Sequence, residues 1–238
     1  MQLTNYLILG LSLILIHTAE VSNPSTLPSQ EMSDRKLTYL ALGDSYTIGE
    51  GVDESDRYPN QLVKRLSKET FFNWKDPKII AKTGWTVDEL NEGINNTDLS
   101  DQTFDLVTLL IGVNNQYRGR PVNVYKTEFE AMLKRAIAFA GDKLDHVVVL
   151  SIPDWGVTPF AINRGTDKGK VAAEIDEYNQ AKKEVCDNYG VAYIDITEDY
   201  REIGANPEMV VEDNLHPSRL VYTRWTDKLF KKVSNLTF

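Results

Sequence analysis

Three short motifs hold the residue types of an acyl-transfer site, spread along a chain of 238 residues. Gly43-Asp44-Ser45 comes early, Gly112-Val113-Asn114 in the middle, and Asp213-Asn214-Leu215-His216 near the end. A serine hydroxyl attacks a carbonyl carbon when an imidazole removes its proton. A carboxylate can orient that imidazole, and N–H donors can hold the oxyanion that develops on the substrate. The chemistry needs all three motifs in one place, so the elements between them must bring them together.

Histidine is scarce, which narrows the choice of base. His17, His146 and His216 are the whole supply. His17 sits in an apolar N-terminal segment. His146 opens a predicted strand and should point to its amino end, leaving His216. Asp213 precedes His216 by three residues, a spacing that lets its carboxylate reach the ring on a tight loop. Glu212 could compete for that role. Asn114 could donate its side-chain amide to an oxyanion, Gly112 letting the backbone come close, and Asn115 could brace the loop. Gly84 could add a backbone N–H, although helix capping by Thr83 or Thr86 is the plainer account of that stretch. In isolation each motif is a turn or a cap. Their common position after strands is what joins them.

The elements that must do the positioning are legible as apolar runs and helical periodicity. Runs at 37–42, 78–81, 106–111, 147–152 and 191–196 predict five strands. Continuous apolar runs suit parallel strands covered on both faces. Helical patterns fill the gaps. One begins near Pro59, one is capped by Thr86, and others span 124–140 and 170–189. Pro217 is expected to open a last helix carrying Leu220, Trp225 and Leu229. Alternation of this kind predicts one α/β domain with a parallel sheet. Ligands of such sheets bind beyond the carboxyl ends of the strands, where the motifs fall.

Composition excludes several classes. Acidic residues number 35 against 26 basic ones, a charge that disfavours nucleic acid as a partner. Cys186 is the single cysteine, so no intrachain disulfide and no cysteine-rich zinc site can form. Its place in a helical stretch predicts a buried structural thiol. No metal and no cofactor is called for. The apolar run 6–16 has signal-peptide length, though no Lys or Arg precedes it. Residues 1–20 are therefore read as a signal peptide or an uncleaved anchor, and 21–36 as a polar linker. Export is expected, with membrane association through the N-terminal segment as the alternative. The hydrolase-like domain then covers 37–238.

On these motifs the chain resembles the SGNH (GDSL-type) hydrolase superfamily, whose Ser, Gly, Asn and His come from four separate blocks. Gly43-Asp44-Ser45, Gly84, Gly112-Val113-Asn114 and Asp213-Asn214-Leu215-His216-Pro217 match those blocks in order. The resemblance implies a three-layer α/β/α sandwich with a five-stranded parallel, flavodoxin-like sheet. It implies Ser45 as nucleophile, His216 as base and Asp213 as its orienter. The oxyanion donors would be the N–H groups of Ser45 and Gly84 and the Asn114 side chain. Two departures stand out: Tyr46 replaces the leucine of the name motif, and Asn115 replaces a frequent aspartate. The implied substrates are carboxylic esters, from lysophospholipids to short acyl and acetylated-sugar esters. Trp85, Tyr117, Trp155 and Phe160 lie in loops where they could line a substrate groove. Arg118 and Arg120 could meet an anionic head group or pair with local acids. No Walker-type motif and no Gly-x-Ser-x-Gly elbow occurs. The rival from another class is a non-catalytic ligand- or carbohydrate-binding module that keeps the fold. Such a module would be expected to lose Ser45, Asn114 or His216.

Overall fold

The computed structural model describes residues 35–100 and 102–238. The apolar run at 6–16 and the linker as far as residue 34 lie outside the described residues. The apolar runs become strands β1 (Tyr39–Gly43), β2 (Lys78–Ala81), β3 (Leu106–Leu110), β4 (Val147–Leu150) and β5 (Ala192–Ile194). Every residue of β1, β3 and β4 is buried. Strands without a polar face need cover on both sides, and helices supply it. The sheet is parallel throughout, in the order β2-β1-β3-β4-β5.

The helices are α1 (Ser45–Ile48), α2 (Tyr58–Glu69), α3 (Val87–Asn95), α4 (Val113–Tyr117), α5 (Val122–Phe139), α6 (Pro159–Asn163), α7 (Lys168–Tyr189), α8 (Thr197–Ile203) and α9 (Arg219–Val233). From β1 the chain steps one way to β2, then crosses to β3 and continues the other way. Right-handed crossovers therefore put α2 on one face of the sheet and α3, α5 and α7 on the other. The packing agrees, since α2 rests on α9 while α5 rests on α3 and α7. Trp225 of α9 is fully buried and meets Tyr46, Tyr58, Tyr200 and Tyr222 with ring centroids 5.2–6.5 Å away. Burial of such rings is among the larger contributions a core residue can make.

Two expectations needed correction. Pro217 does not open the last helix. Ser218 is its N-cap and Arg219 its first residue, while Pro217 forms an antiparallel bridge with Val210. The Val211 N–H donates to the His216 carbonyl at 2.8 Å and the Ser218 N–H to Met209 at 2.9 Å, so Pro217 closes a loop instead. Helices α4, α6 and α8 were not anticipated, because five to seven residues are too few to show a helical period.

The remaining special residues find structural places. His146 is buried at the amino end of β4, its Nε2 3.3 Å from the Thr237 carbonyl and its ring 5.1 Å from Phe238. Cys186 is buried on α7, and burial pushes its thiol up to about 12. One turn earlier Lys182 is fully buried and donates to the Leu150 carbonyl at 3.0 Å. Burial pulls its ammonium down to about 7. Among the described residues no helix is long and apolar enough to cross a membrane.

Candidate active site

The site is assembled from four loops at the carboxyl end of the sheet. Asp44 ends the turn after β1 and caps α1, its Oδ1 accepting the Tyr46 N–H at 3.0 Å. Ser45 is thereby the first residue of a helix, where helix geometry leaves the N–H without an intrahelical partner. After β3 the chain turns through Gly112 at φ +126°. A Cβ at Gly112 would stand 2.7 Å from the Tyr125 ring, so only glycine lets β3 run on into α4. Asn114 follows, and its Nδ2 donates to the Trp85 carbonyl at 2.9 Å. That bond uses one amide hydrogen and leaves the other for a ligand.

The last loop holds the imidazole. Asn214 adopts a left-handed conformation at φ 62°, which its short polar side chain tolerates. The turn folds Asp213 back so that Oδ1 accepts the N–H groups of Leu215 and His216 at 2.8 and 2.9 Å. Its Oδ2 lies 2.5 Å from His216 Nδ1. Burial by itself would raise the Asp213 pKa. The bonds from the His216 ring and from the two backbone N–H groups outweigh it and hold the carboxyl below its usual range. Nε2 of the ring is then left free for a proton from a nucleophile. Glu212 plays no such part; its backbone carbonyl accepts from Asn214 Nδ2. Tyr46 is buried and meets the His216 ring edge to face, with centroids 5.8 Å apart. The departure from leucine at this position therefore puts an aromatic wall beside the imidazole.

Ser45, Thr83, Gly84, Val113, Asn114, Tyr117, Trp155, Phe160, Leu215 and His216 surround one cavity of about 220 Å³, and Tyr46 completes the lining. Serine, imidazole and all the expected oxyanion donors thus face a common space, with Asp213 behind the ring. Tyr117 and Trp155 form one aromatic wall, with ring centroids 5.3 Å apart. Trp85 is a correction. Its ring lies over Gly93 of α3, where the missing side chain makes room, and it does not line the cavity. The Trp85 backbone serves instead, as the acceptor for Asn114. Gln116 went unnoticed in the sequence, although it takes the Trp155 indole N–H at 2.8 Å and fixes that wall. Its signal was its place in the same short helix as Asn114. Arg118 and Arg120 pair with local acids, Glu89 at 3.0 Å and Asp88 at 2.5 Å. Among the described residues no group of His, Cys, Asp and Glu side chains stands together as a metal site would require.

Residues 41–224 match the GDSL-like lipase/acylhydrolase family. The chain belongs to that family. It is accordingly a carboxylic-ester hydrolase with the family's α/β fold. Similar solved structures include TesA, with a TM-score of 0.64 and 20% identity over 82% of this chain and 97% of that one. A G-D-S-L family lipolytic protein from Veillonella parvula gives a TM-score of 0.63 and 19% identity, covering 84% of this chain and 99% of that one. The acetyl xylan esterase AlAXEase gives 0.65 and 17%, covering 83% and 100%. No curated protein matches the chain.

One titratable group beside Ser45 in the chain sets a pH dependence. Asp44 is buried and its Oδ2 has no partner among the described residues. Burial raises its pKa from the usual 3.8 to about 7, against the opposing pull of the Tyr46 N–H and of Lys182. A folded-state pKa above the unfolded one means that the fold holds the extra proton between about pH 4 and pH 7. The resulting stability is fully present below 3.8 and is lost as pH rises through about 7. Asp44→Asn keeps the acceptor for Tyr46 but cannot ionise. Urea unfolding at a series of pH values should show the wild type losing stability relative to Asp44→Asn across that window, then levelling. A flat difference would mean that Asp44 ionises freely in the fold.

Proposed function

We propose that the protein hydrolyses short-acyl carboxylic esters through an acyl-enzyme on Ser45. The observation that carries this reading is the convergence of Ser45, the Asp213–His216 pair, Gly84 and Asn114 on one cavity. In this mechanism His216 Nε2 takes the Ser45 proton as Oγ attacks the ester carbonyl carbon. Asp213 keeps the ring proton on Nδ1 and stabilises the imidazolium that forms. The carbonyl π electrons move to oxygen, and that oxyanion meets the N–H groups of Ser45 and Gly84 and the free amide hydrogen of Asn114. Collapse expels the alcohol, which receives the proton from His216. Water, deprotonated by the same ring, then attacks the acyl-enzyme, and Ser45 leaves with the proton while the carboxylic acid departs.

The cavity supports the choice of acyl group. Its lining is mostly apolar, with Val113, Tyr117, Trp155, Phe160 and Leu215 around the reacting atoms. At about 220 Å³ it is smaller than the roughly 300 Å³ at which sites for drug-sized ligands begin. A short acyl chain fits such a space, and the alcohol half must project past the rim. Acetylated sugars and short alkyl esters meet that description better than long-chain lysophospholipids.

Ser45→Ala should abolish nearly all hydrolysis of p-nitrophenyl acetate and leave the thermal unfolding midpoint close to wild type. Labelling with a fluorophosphonate should disappear in the same variant. Substantial activity in Ser45→Ala would rule out the acyl-enzyme on this residue. A p-nitrophenyl series from acetate to palmitate should show kcat/KM declining with chain length.

Asn114→Ala should lower kcat by ~10²–10³, the usual cost of one oxyanion donor. KM should move little, because the bond tightens in the transition state. A change confined to KM would make Asn114 a ground-state contact.

A further inference from the structure

The oxyanion loop is tied to its neighbours at Thr83, whose hydroxyl donates to Glu50, and through one short helix. Loop 83–86 carries Gly84 between β2 and α3, and Gly84 sits at φ +86°. Glycine is the most freely rotating residue, so this donor needs something to hold it. Three side chains of the α4 turn do so in succession. Arg118 Nη2 donates to the Gly84 carbonyl at 2.7 Å. Asn114 Nδ2 donates to the Trp85 carbonyl at 2.9 Å. Asn115 Oδ1 accepts the Val87 N–H at 3.1 Å, and its Nδ2 is anchored on Glu128 at 3.1 Å. Arg118 is braced in turn, since Nη1 donates to Glu89 Oε1 at 3.0 Å. The other oxygen of Glu89 accepts the Thr86 N–H at 2.9 Å, tying the guanidinium to both ends of the loop.

We propose that Arg118 is a positioning residue for catalysis, its guanidinium locking the Gly84 backbone so that the Gly84 N–H and the Asn114 amide point to one oxyanion position. The inference rests on the hydrolase reading for its catalytic consequence; the clamp itself does not. Arg118 is fit for this task where lysine is not. A planar guanidinium spans the Gly84 carbonyl and the Glu89 carboxylate at once, while a single ammonium reaches one or the other. The side chain is 43% exposed, so its ion pair contributes little to global stability. Its effect should instead appear where small displacements of a donor matter, in the transition state.

Arg118→Met keeps the stem and removes both bonds. Its kcat on p-nitrophenyl acetate should fall by ~10-fold, below the ~10²–10³ that follows removal of an oxyanion donor itself. KM and the unfolding midpoint should stay near wild type. Arg118→Lys should recover part of kcat. Arg224→Met, which loses an exposed pair with Asp199 and no contact with the loop, should keep it. Hydrogen exchange over residues 83–87 should quicken in Arg118→Met, a readout that needs no substrate. Unchanged exchange overturns the clamp whatever the activity shows. Faster exchange with unchanged kcat, a rise in KM alone, or an equal loss in Arg224→Met overturns the catalytic role. A wild-type protein inert toward every ester would sink the hydrolase reading and this role with it, while exchange would still decide whether Arg118 pins the loop.

Discussion

Parallel pairing of β1 between β2 and β3 is the constraint from which the rest of this molecule follows. Gly43 at the end of β1 stands in register with Ala81 of β2 and Leu110 of β3. Three chain segments far apart in sequence therefore leave the sheet side by side and at one height. The first delivers Ser45, the second Gly84 and the third Asn114. The strand order reverses at β1, so the adjoining helices lie on opposite faces and leave a crevice between them. The cavity occupies that crevice, and the loop before α9 brings His216 over it.

Burial then acts on the groups that the crevice brings together. Asp213 is only partly buried and hydrogen-bonded three times, and it stays ionised to lower pH than a free carboxylate would. Asp44 is fully buried with one oxygen unpartnered, and it holds its proton to about pH 7. The two aspartates thus differ because hydrogen bonds outweigh burial at Asp213 and burial outweighs them at Asp44. Lys182 approaches the same region from α7 and is equally short of solvent. Burial thus brings a carboxyl and an ammonium under the site to the same titration range, both at about 7.

Precision at the oxyanion position comes from backbone contacts and from α4 together. This helix has five residues, too few for stability on its own. Its side chains bond successive backbone groups of the loop before α3, and its Gln116 holds Trp155 in the opposite wall. The Gly84 loop and the aromatic wall of the cavity are consequently parts of one hydrogen-bonded unit.

The sequence by itself determined the strands, the long helices and the residues proposed here to react. Short continuous apolar runs bounded by turn residues suit strands of a parallel sheet, and a chain with three histidines offers few bases. Capping chemistry was equally local, as Thr86 and Glu89 bear out at the start of α3. Tertiary structure decided what depends on neighbours distant in sequence. Trp85 sits next to Gly84 and looks like a cavity residue, yet the bare surface of Gly93 takes its ring. Pro217 carries a helix-start signal, but the bridge to Val210 claims it for the loop. Arg118 and Arg120 have the charge for an anionic ligand, and acids from α3 satisfy both. The difference is physical. Periodicity and capping are settled within a few residues, whereas the direction of a loop side chain is settled by whatever surface folding brings beside it.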